Sequence, residues 1–331
     1  MTKPLALTMG DPAGVGPQIT MAAWQQLQGS PQHSFFVIGA PELYAPHMAV
    51  EIINHPDQAS EVFQTALPVL ALANMPIPSP GQPDRDTAPA IIKAIETAVS
   101  LCLEGQADAV VTNPINKALL YGAGFKHPGH TEFIAALCES TSKTPTQPVM
   151  LLTGGGLRVA LATIHMPLRE ACNAITTPAL VALGEIVSAA MRQDFGLAEP
   201  RLAFTGLNPH AGENGTIGRE EMEIINPAAE QLRTAGINMS DARSADTVFA
   251  EALTGRFDAI IAMTHDQGLI PVKTLDFWGG VNSTLGLPIV RTSPDHGTGY
   301  DAAAQGNAQP DSLIAAIKQA RLMTDNRKRT A

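Results

Sequence analysis

Short apolar runs, each closed by a turn signal, recur along the whole chain and alternate with helical patterns. Runs of that length read as strands buried on both faces, and their alternation with helices predicts an α/β protein with a largely parallel sheet. Three of the runs end on a histidine: Val159–Thr163 runs into His165, Leu202–Phe204 leads to His210, and Ala259–Met263 runs into His265. Ligands of open α/β sheets sit beyond the carboxyl ends of the strands. Three imidazoles delivered there can converge on one divalent metal, and a three-histidine set without thiolate leaves coordination positions open for catalysis. The identity of the ion stays open among zinc, magnesium, manganese and cobalt.

The remaining runs are Leu5–Met9, Phe35–Gly39, Val69–Leu72, Ala109–Thr112, Val149–Thr153 and Pro288–Arg291, with the second histidine run spanning Arg201–Gly206. Between them, Pro89–Glu104 places Ile91, Ile92, Ile95, Val99 and Leu103 on one helical face, and Gly105 stops it. Thr177 as N-cap and Pro178 at the first helical position open a helix to Phe195. A last helix is expected from about Pro310 to Asp325. Pro76–Pro89 is proline-rich and reads as a surface connection.

At 331 residues the chain exceeds one core, so two domains are expected. With 45% hydrophobic and 16% charged residues it can fill them. The net charge of -10 repels phosphate backbones and argues against nucleic acid as a partner. The basic run Arg327–Arg329 reads as a solvated tail. Cys102, Cys138 and Cys172 form no C-x-x-C pair, which fits a reducing compartment and excludes a thiolate zinc framework. No apolar stretch reaches membrane-span length and no signal-peptide pattern opens the chain, so a cytoplasmic protein without membrane partners is expected.

Several polar clusters follow the strands. Gly10-Asp11-Pro12-Ala13-Gly14-Val15-Gly16-Pro17 joins a strand to a helix; it reads as a tight glycine turn, or as a loop lying against a ligand. Thr112-Asn113-Pro114-Ile115-Asn116-Lys117 is a turn or a site with equal local support. Pro128-Gly129-His130-Thr131-Glu132-Phe133 opens a helix with Thr131 as candidate cap, where free amides with His130 and Thr131 can hold a phosphate. Asp246 and Asp266 can orient a ligand imidazole, and Asp246 also suits a helix cap. Lys273, Asn282 and Arg291 can bind phosphate and carboxylate groups, the arginine bidentately. His296, in Asp295-His296-Gly297-Thr298-Gly299, reads as a fourth ligand or, preferably, a nucleotide contact.

At these residues the chain resembles the 4-hydroxythreonine-4-phosphate dehydrogenase family of vitamin B6 biosynthesis. The matching segments, in order over nearly the whole chain, are the Gly10–Pro17, Pro114–Lys117 and Pro128–Phe133 motifs, Leu207-Asn208-Pro209-His210-Ala211-Gly212-Glu213, His265-Asp266-Gln267-Gly268, Thr284-Leu285-Gly286-Leu287-Pro288, Arg291-Thr292-Ser293 and Asp295–Thr298. The resemblance implies two α/β/α domains around a cleft, similar to isocitrate and isopropylmalate dehydrogenases: residues 1–130 with 285–331 on the cofactor side, and 131–284 for metal binding and dimerisation. It implies a homodimer with a shared active site, a metal on His165, His210 and His265, and substrate contacts from His130, Thr131, Lys273, Asn282 and Arg291. NAD or NADP would be held outside a standard Rossmann motif, with Gly10, Gly14, Asp295 and His296 as candidate contacts.

The implied reaction is oxidation and decarboxylation of 4-phosphooxy-L-threonine, with His130, Lys273 and Asp246 as alternative general bases. Thr264 before the third histidine, Leu275-Asp276-Phe277-Trp278 and Gly299-Tyr300 depart from the commonest family pattern. Relatives acting on threonate or erythronate 4-phosphate, or on dihydrodiol carboxylates, are the alternative within the family. A non-redox metal hydrolase or aldolase is the alternative outside it.

Overall fold

A computed structural model of the chain describes residues 2–73, 75–127, 129–142 and 146–330. It divides into two compact units: Met1–Pro148 with Leu287–Thr324, and Val149–Gly286 with Asp325–Ala331. The chain thus crosses over after Pro148 rather than near residue 130, because the helix His130–Ser142 packs on the helix Ala88–Leu103 of the first unit.

Among the described residues there are twelve strands: β1 (Leu5–Thr8), β2 (Phe35–Gly39), β3 (Val50–Ile53), β4 (Leu67–Ala71), β5 (Ala109–Thr112), β6 (Val149–Gly154), β7 (Leu157–Leu161), β8 (Leu202–Thr205), β9 (Met239–Arg243), β10 (Ala259–Ala262), β11 (Val281–Leu285) and β12 (Val290–Pro294). The first unit orders its strands β3-β4-β2-β1-β5-β12, every pair parallel. β1, β2 and β5 are buried at every residue, which is why their sequences are unbroken apolar runs. The second unit orders its strands β11-β6-β7-β10-β8-β9. Here β6 runs antiparallel to both β11 and β7, whereas β7, β10, β8 and β9 are mutually parallel.

Some boundaries differ from those the sequence suggests. The strand expected at Pro288–Arg291 is Val290–Pro294, so Arg291 lies within it and not at its end. Thr176, one residue earlier than expected, caps the helix Thr177–Gln193 by accepting from Ala179 N; the Thr177 hydroxyl instead donates to Ile224 O. Thr131 lies inside the first turn of its helix, which begins at His130; Pro128 of the same motif lies outside the described residues. Thr247, not Asp246, occupies the cap position before Val248–Leu253. The last helix continues to Thr330, so Arg327–Arg329 form its final turn and not a loose tail, with Arg327 paired to the buried Asp194 carboxylate.

In the second unit, the helix His265–Leu275 lies directly against β7 and β10 at Gly268. A Cβ at Gly268 would stand 2.5 Å from Leu161 Cδ2, 3.1 Å from Val159 Cγ1 and 3.2 Å from Ala262 Cβ. Hydrogen alone therefore lets the helix that begins at His265 rest on the sheet. Gly268→Val should destabilise the protein by about 1–3 kcal/mol through overpacking, read as a lower urea midpoint; an unchanged midpoint would contradict this packing.

Candidate functional site

Parallel pairing of β7, β10 and β8 delivers the chain from one edge of the sheet three times, and His165, His210 and His265 follow those strands within five residues. The loops are fastened together. Thr163 Oγ1 donates to Met263 O at 2.7 Å, and Ala162 N donates to Ala262 O at 2.8 Å. Thr205 Oγ1 donates to Gln267 Oε1 at 2.6 Å, and Met263 N donates to that same oxygen at 2.9 Å. Gln267 Nε2 returns to Gly206 O at 2.8 Å. One amide thereby spans the ends of β8 and β10.

The His165 and His265 rings stand 5.5 Å apart between centroids. They share a cavity of about 590 Å³ with Thr163, Met166, Leu168 and Thr264. His265 Nδ1 bonds Asp266 Oδ1 at 2.8 Å, the orienting contact expected of that carboxylate. His210 is turned to Glu213, with Nδ1 2.6 Å from Oε1; that hydrogen bond, then the Glu213 charge, raises the imidazole's pKa, and Asp246 adds to it. Asp246 Oδ1 accepts from Ser244 Oγ at 2.5 Å.

Among the described residues no three His, Cys, Asp or Glu side chains are grouped to hold an ion. The donor set nevertheless fits a divalent ion in kind: imidazoles from three neighbouring strand ends, two of them adjacent.

The backbone that carries His210 is unusual. His210, Ala211, Gly212, Glu213 and Asn214 all have positive φ, between 42 and 77°. Four of them have side chains, and each costs roughly 1 kcal/mol or more in that conformation. Gly212 and the Asn214-Gly215 pair signal this turn in the sequence.

Lys273 is half-buried in the helix His265–Leu275, and Asn282 lies on β11 opposite Leu152.

In the first unit, β1 lies between β2 and β5, so the chain leaves it toward one side and later returns to the other. Such a switch point opens a crevice at the carboxyl ends. Arg291 is 2% exposed, and its Nη2 donates to Thr112 Oγ1 at 2.8 Å. Burial pushes its pKa down to about 10, and Glu132 opposes that shift. Burial first, then the charges of Arg291 and Lys117, holds His130 well below the usual imidazole range. Its Nε2 is buried with no hydrogen-bond partner among the described residues. A neutral ring beside a buried guanidinium, at the start of a helix with Thr131, has the chemistry to receive an anion.

The space before Gly10 and Gly14 is filled by the chain itself: added Cβ atoms would lie 2.6 Å from Asn113 Cβ and 2.6 Å from Thr298 O, respectively. Asp11 N donates to Pro114 O and Val15 N to Thr298 O. The glycines thus pack three segments together. Tyr300, one of the departures noted above, joins the same segments. Its hydroxyl donates to the buried Asp11 carboxylate at 2.5 Å and accepts from Asn116 Nδ2 at 2.9 Å. Burial raises the Asp11 pKa despite these bonds. Asp295 N donates to Ser312 Oγ, while His296 is exposed on the loop after β12.

Fold and strand-end chemistry together define an α/β protein built to place polar groups beyond parallel strands. The family model described as "Pyridoxal phosphate biosynthetic protein PdxA" matches residues 32–320. A curated 4-hydroxythreonine-4-phosphate dehydrogenase of Caulobacter vibrioides is 52% identical over 96% of this chain and 97% of its own. A crystal structure of the Klebsiella pneumoniae 4-hydroxythreonine-4-phosphate dehydrogenase superposes with TM-score 0.85 at 35% identity, covering 98% of this chain and all of that one. A terephthalate 1,2-cis-dihydrodiol dehydrogenase from Burkholderia xenovorans LB400 is more distant: TM-score 0.66 and 26% identity, covering 97% of this chain and 98% of that one. The chain belongs to the PdxA family of pyridoxal phosphate biosynthetic proteins, and it is a dehydrogenase by that kinship.

Because the fold keeps His130 neutral, the unfolded chain binds the extra proton once pH drops below about 6.5. Stability then falls with falling pH by up to about 1.4 kcal/mol per unit. His130→Gln should flatten that loss between roughly pH 6.5 and 5. Urea unfolding of both proteins at each pH measures it, and parallel curves would contradict the assignment.

Proposed function

We propose that this protein oxidises and decarboxylates 4-phosphooxy-L-threonine to 3-amino-2-oxopropyl phosphate in pyridoxal phosphate biosynthesis, using NAD or NADP and one divalent ion per site. The observation that carries the reading is the delivery of three imidazoles from three adjacent parallel strand ends, in a chain 52% identical to a 4-hydroxythreonine-4-phosphate dehydrogenase.

His165, His210 and His265 would hold the ion. Bound there, a divalent ion supplies Lewis acidity toward the alcohol oxygen during hydride loss and toward the carbonyl oxygen during loss of carbon dioxide. A nicotinamide dinucleotide supplies the hydride acceptor. The candidate contacts for it are Asp295 and His296, beside the loop that Gly10 and Gly14 shape.

Arg291, buried and charged, would pair with the substrate phosphate or carboxylate, with His130 and Thr131 adding hydrogen bonds. Lys273, on the helix His265–Leu275, and Asn282, on β11, are the further candidate substrate contacts. The proton leaving the alcohol requires a base among His130, Lys273 and Asp246, and pH–rate profiles of single variants distinguish them.

The proposal includes a homodimer with a shared active site. Exposed Met166, Leu168, Ile270, Phe277 and Trp278 on the second unit support an apolar contact with a second copy. A cytoplasmic location is part of the same reading and suits three free cysteines.

Purified protein with metal, NAD or NADP and a panel of phosphorylated hydroxy acids provides the test, read by reduced-nicotinamide absorbance. Reduction with 4-phosphooxy-L-threonine is the expected result. Reduction only with threonate or erythronate 4-phosphate, or with a dihydrodiol carboxylate, would move the substrate within the family. Product without cofactor reduction would indicate a hydrolase or aldolase. His165→Ala and His210→Ala should each abolish turnover in a folded protein; near-normal rates after chelation and metal replenishment would remove the ligand assignment.

A further inference from the structure

We infer that Glu221 is a positioning residue for His210, fixing the left-handed turn that carries the imidazole. The inference rests on the metal-ligand reading of His210 and extends it to a side chain that touches neither substrate nor cofactor.

Glu221 is 2% exposed and begins a short helical segment, Glu221–Ile225, with wide i→i+5 bonding. Single turns of that kind are frequent at functional sites. Its Oε1 accepts from Leu207 N and Asn208 N, both at 2.8 Å, and its Oε2 accepts from Asn208 Nδ2 at 3.0 Å. Asn208 Nδ2 also donates to Glu220 Oε2 at 2.7 Å. Both residues that donate these bonds lie immediately before Pro209 and His210.

The same carboxylate bears on the middle of the turn. A Cβ at Gly212 would lie 2.5 Å from Glu221 Oε2, and one at Gly218 would lie 2.3 Å from Asn208 Nδ2. Two glycines therefore make room for this one contact.

Five consecutive left-handed residues persist only where their surroundings dictate them. Glu221 supplies acceptors at the entry to the turn and a wall at its centre. Among the described residues no lysine or arginine pairs with it, so its charge rests on three N–H donors. An apolar residue would avoid burying an uncompensated charge. What the carboxylate adds is a fixed loop geometry and a negative field beside the ring expected to bind a cation.

The test uses the full-length protein with cobalt(II) alone, followed by calorimetry and by the d–d absorption of imidazole-bound cobalt. Glu221→Gln should weaken cobalt affinity about 10- to 100-fold, because its amide opposes Asn208 Nδ2 with a second donor. Asn208→Ala, which removes only the side-chain link, should weaken it less. Thr177→Ala deletes the hydroxyl bond to Ile224 O from the same segment; it should lower stability and leave cobalt affinity unchanged. In metal-free protein, hydrogen exchange of residues 207–214 should accelerate in Glu221→Gln and not in Thr177→Ala.

Wild-type cobalt affinity in Glu221→Gln, with the wild-type spectrum showing imidazole ligation, would overturn this inference and leave the metal reading standing. Equal affinity losses in Glu221→Gln and Thr177→Ala would overturn it too, by reducing the effect to stability. A wild-type protein whose cobalt binding is absent or indifferent to His210→Ala would remove the metal reading itself.

Discussion

Parallel pairing of β7, β10 and β8 is the constraint from which the chemistry of the second unit follows. Parallel neighbours must leave the sheet at the same edge, so three loops that are distant in sequence emerge side by side. Packing alone would leave them free to splay. The Gln267 amide and the Thr163 and Thr205 hydroxyls close that freedom with bonds of 2.6–2.9 Å. The loops that carry the histidines are thus tied to one another through backbone atoms at the ends of buried strands.

The first unit uses a different device. Its loops after β1 and β5 meet through glycine contacts and through the Tyr300 hydroxyl, which ties Asp11 to Asn116. Arg291 and His130, the candidate anion contacts, sit instead in a strand interior and at a helix start. The second unit carries imidazoles suited in kind to a cation, and the first carries a buried guanidinium suited in kind to an anion.

Much of this was legible in the sequence because burial on both faces forces continuous apolar runs, and turns betray themselves by glycine and proline. The three strand-end histidines could be read on that basis. β3, β9 and β11 were missed because Val50–Ile53, Met239–Arg243 and Val281–Leu285 mix polar and apolar residues, as edge or antiparallel strands do. The cap at Thr176 was missed because two threonines stand side by side and either could serve. Glu221, Gln267 and Thr205 were not recognised, since a hydrogen-bonding role is defined by a partner whose position only the fold reveals. The left-handed course of His210–Asn214 was equally hidden, because Ala211 and Glu213 are types that ordinarily avoid it.

The pairing of His130 with Arg291 has a consequence for titration. Burial keeps the imidazole uncharged, and the guanidinium, even pushed down to about 10, stays cationic. Across ordinary pH these two groups therefore keep a constant charge. A phosphomonoester, by contrast, changes from monoanion to dianion near pH 6. For a phosphomonoester bound there as proposed, acid sensitivity would thus originate in the guest, with the two host groups acting as a fixed electrode.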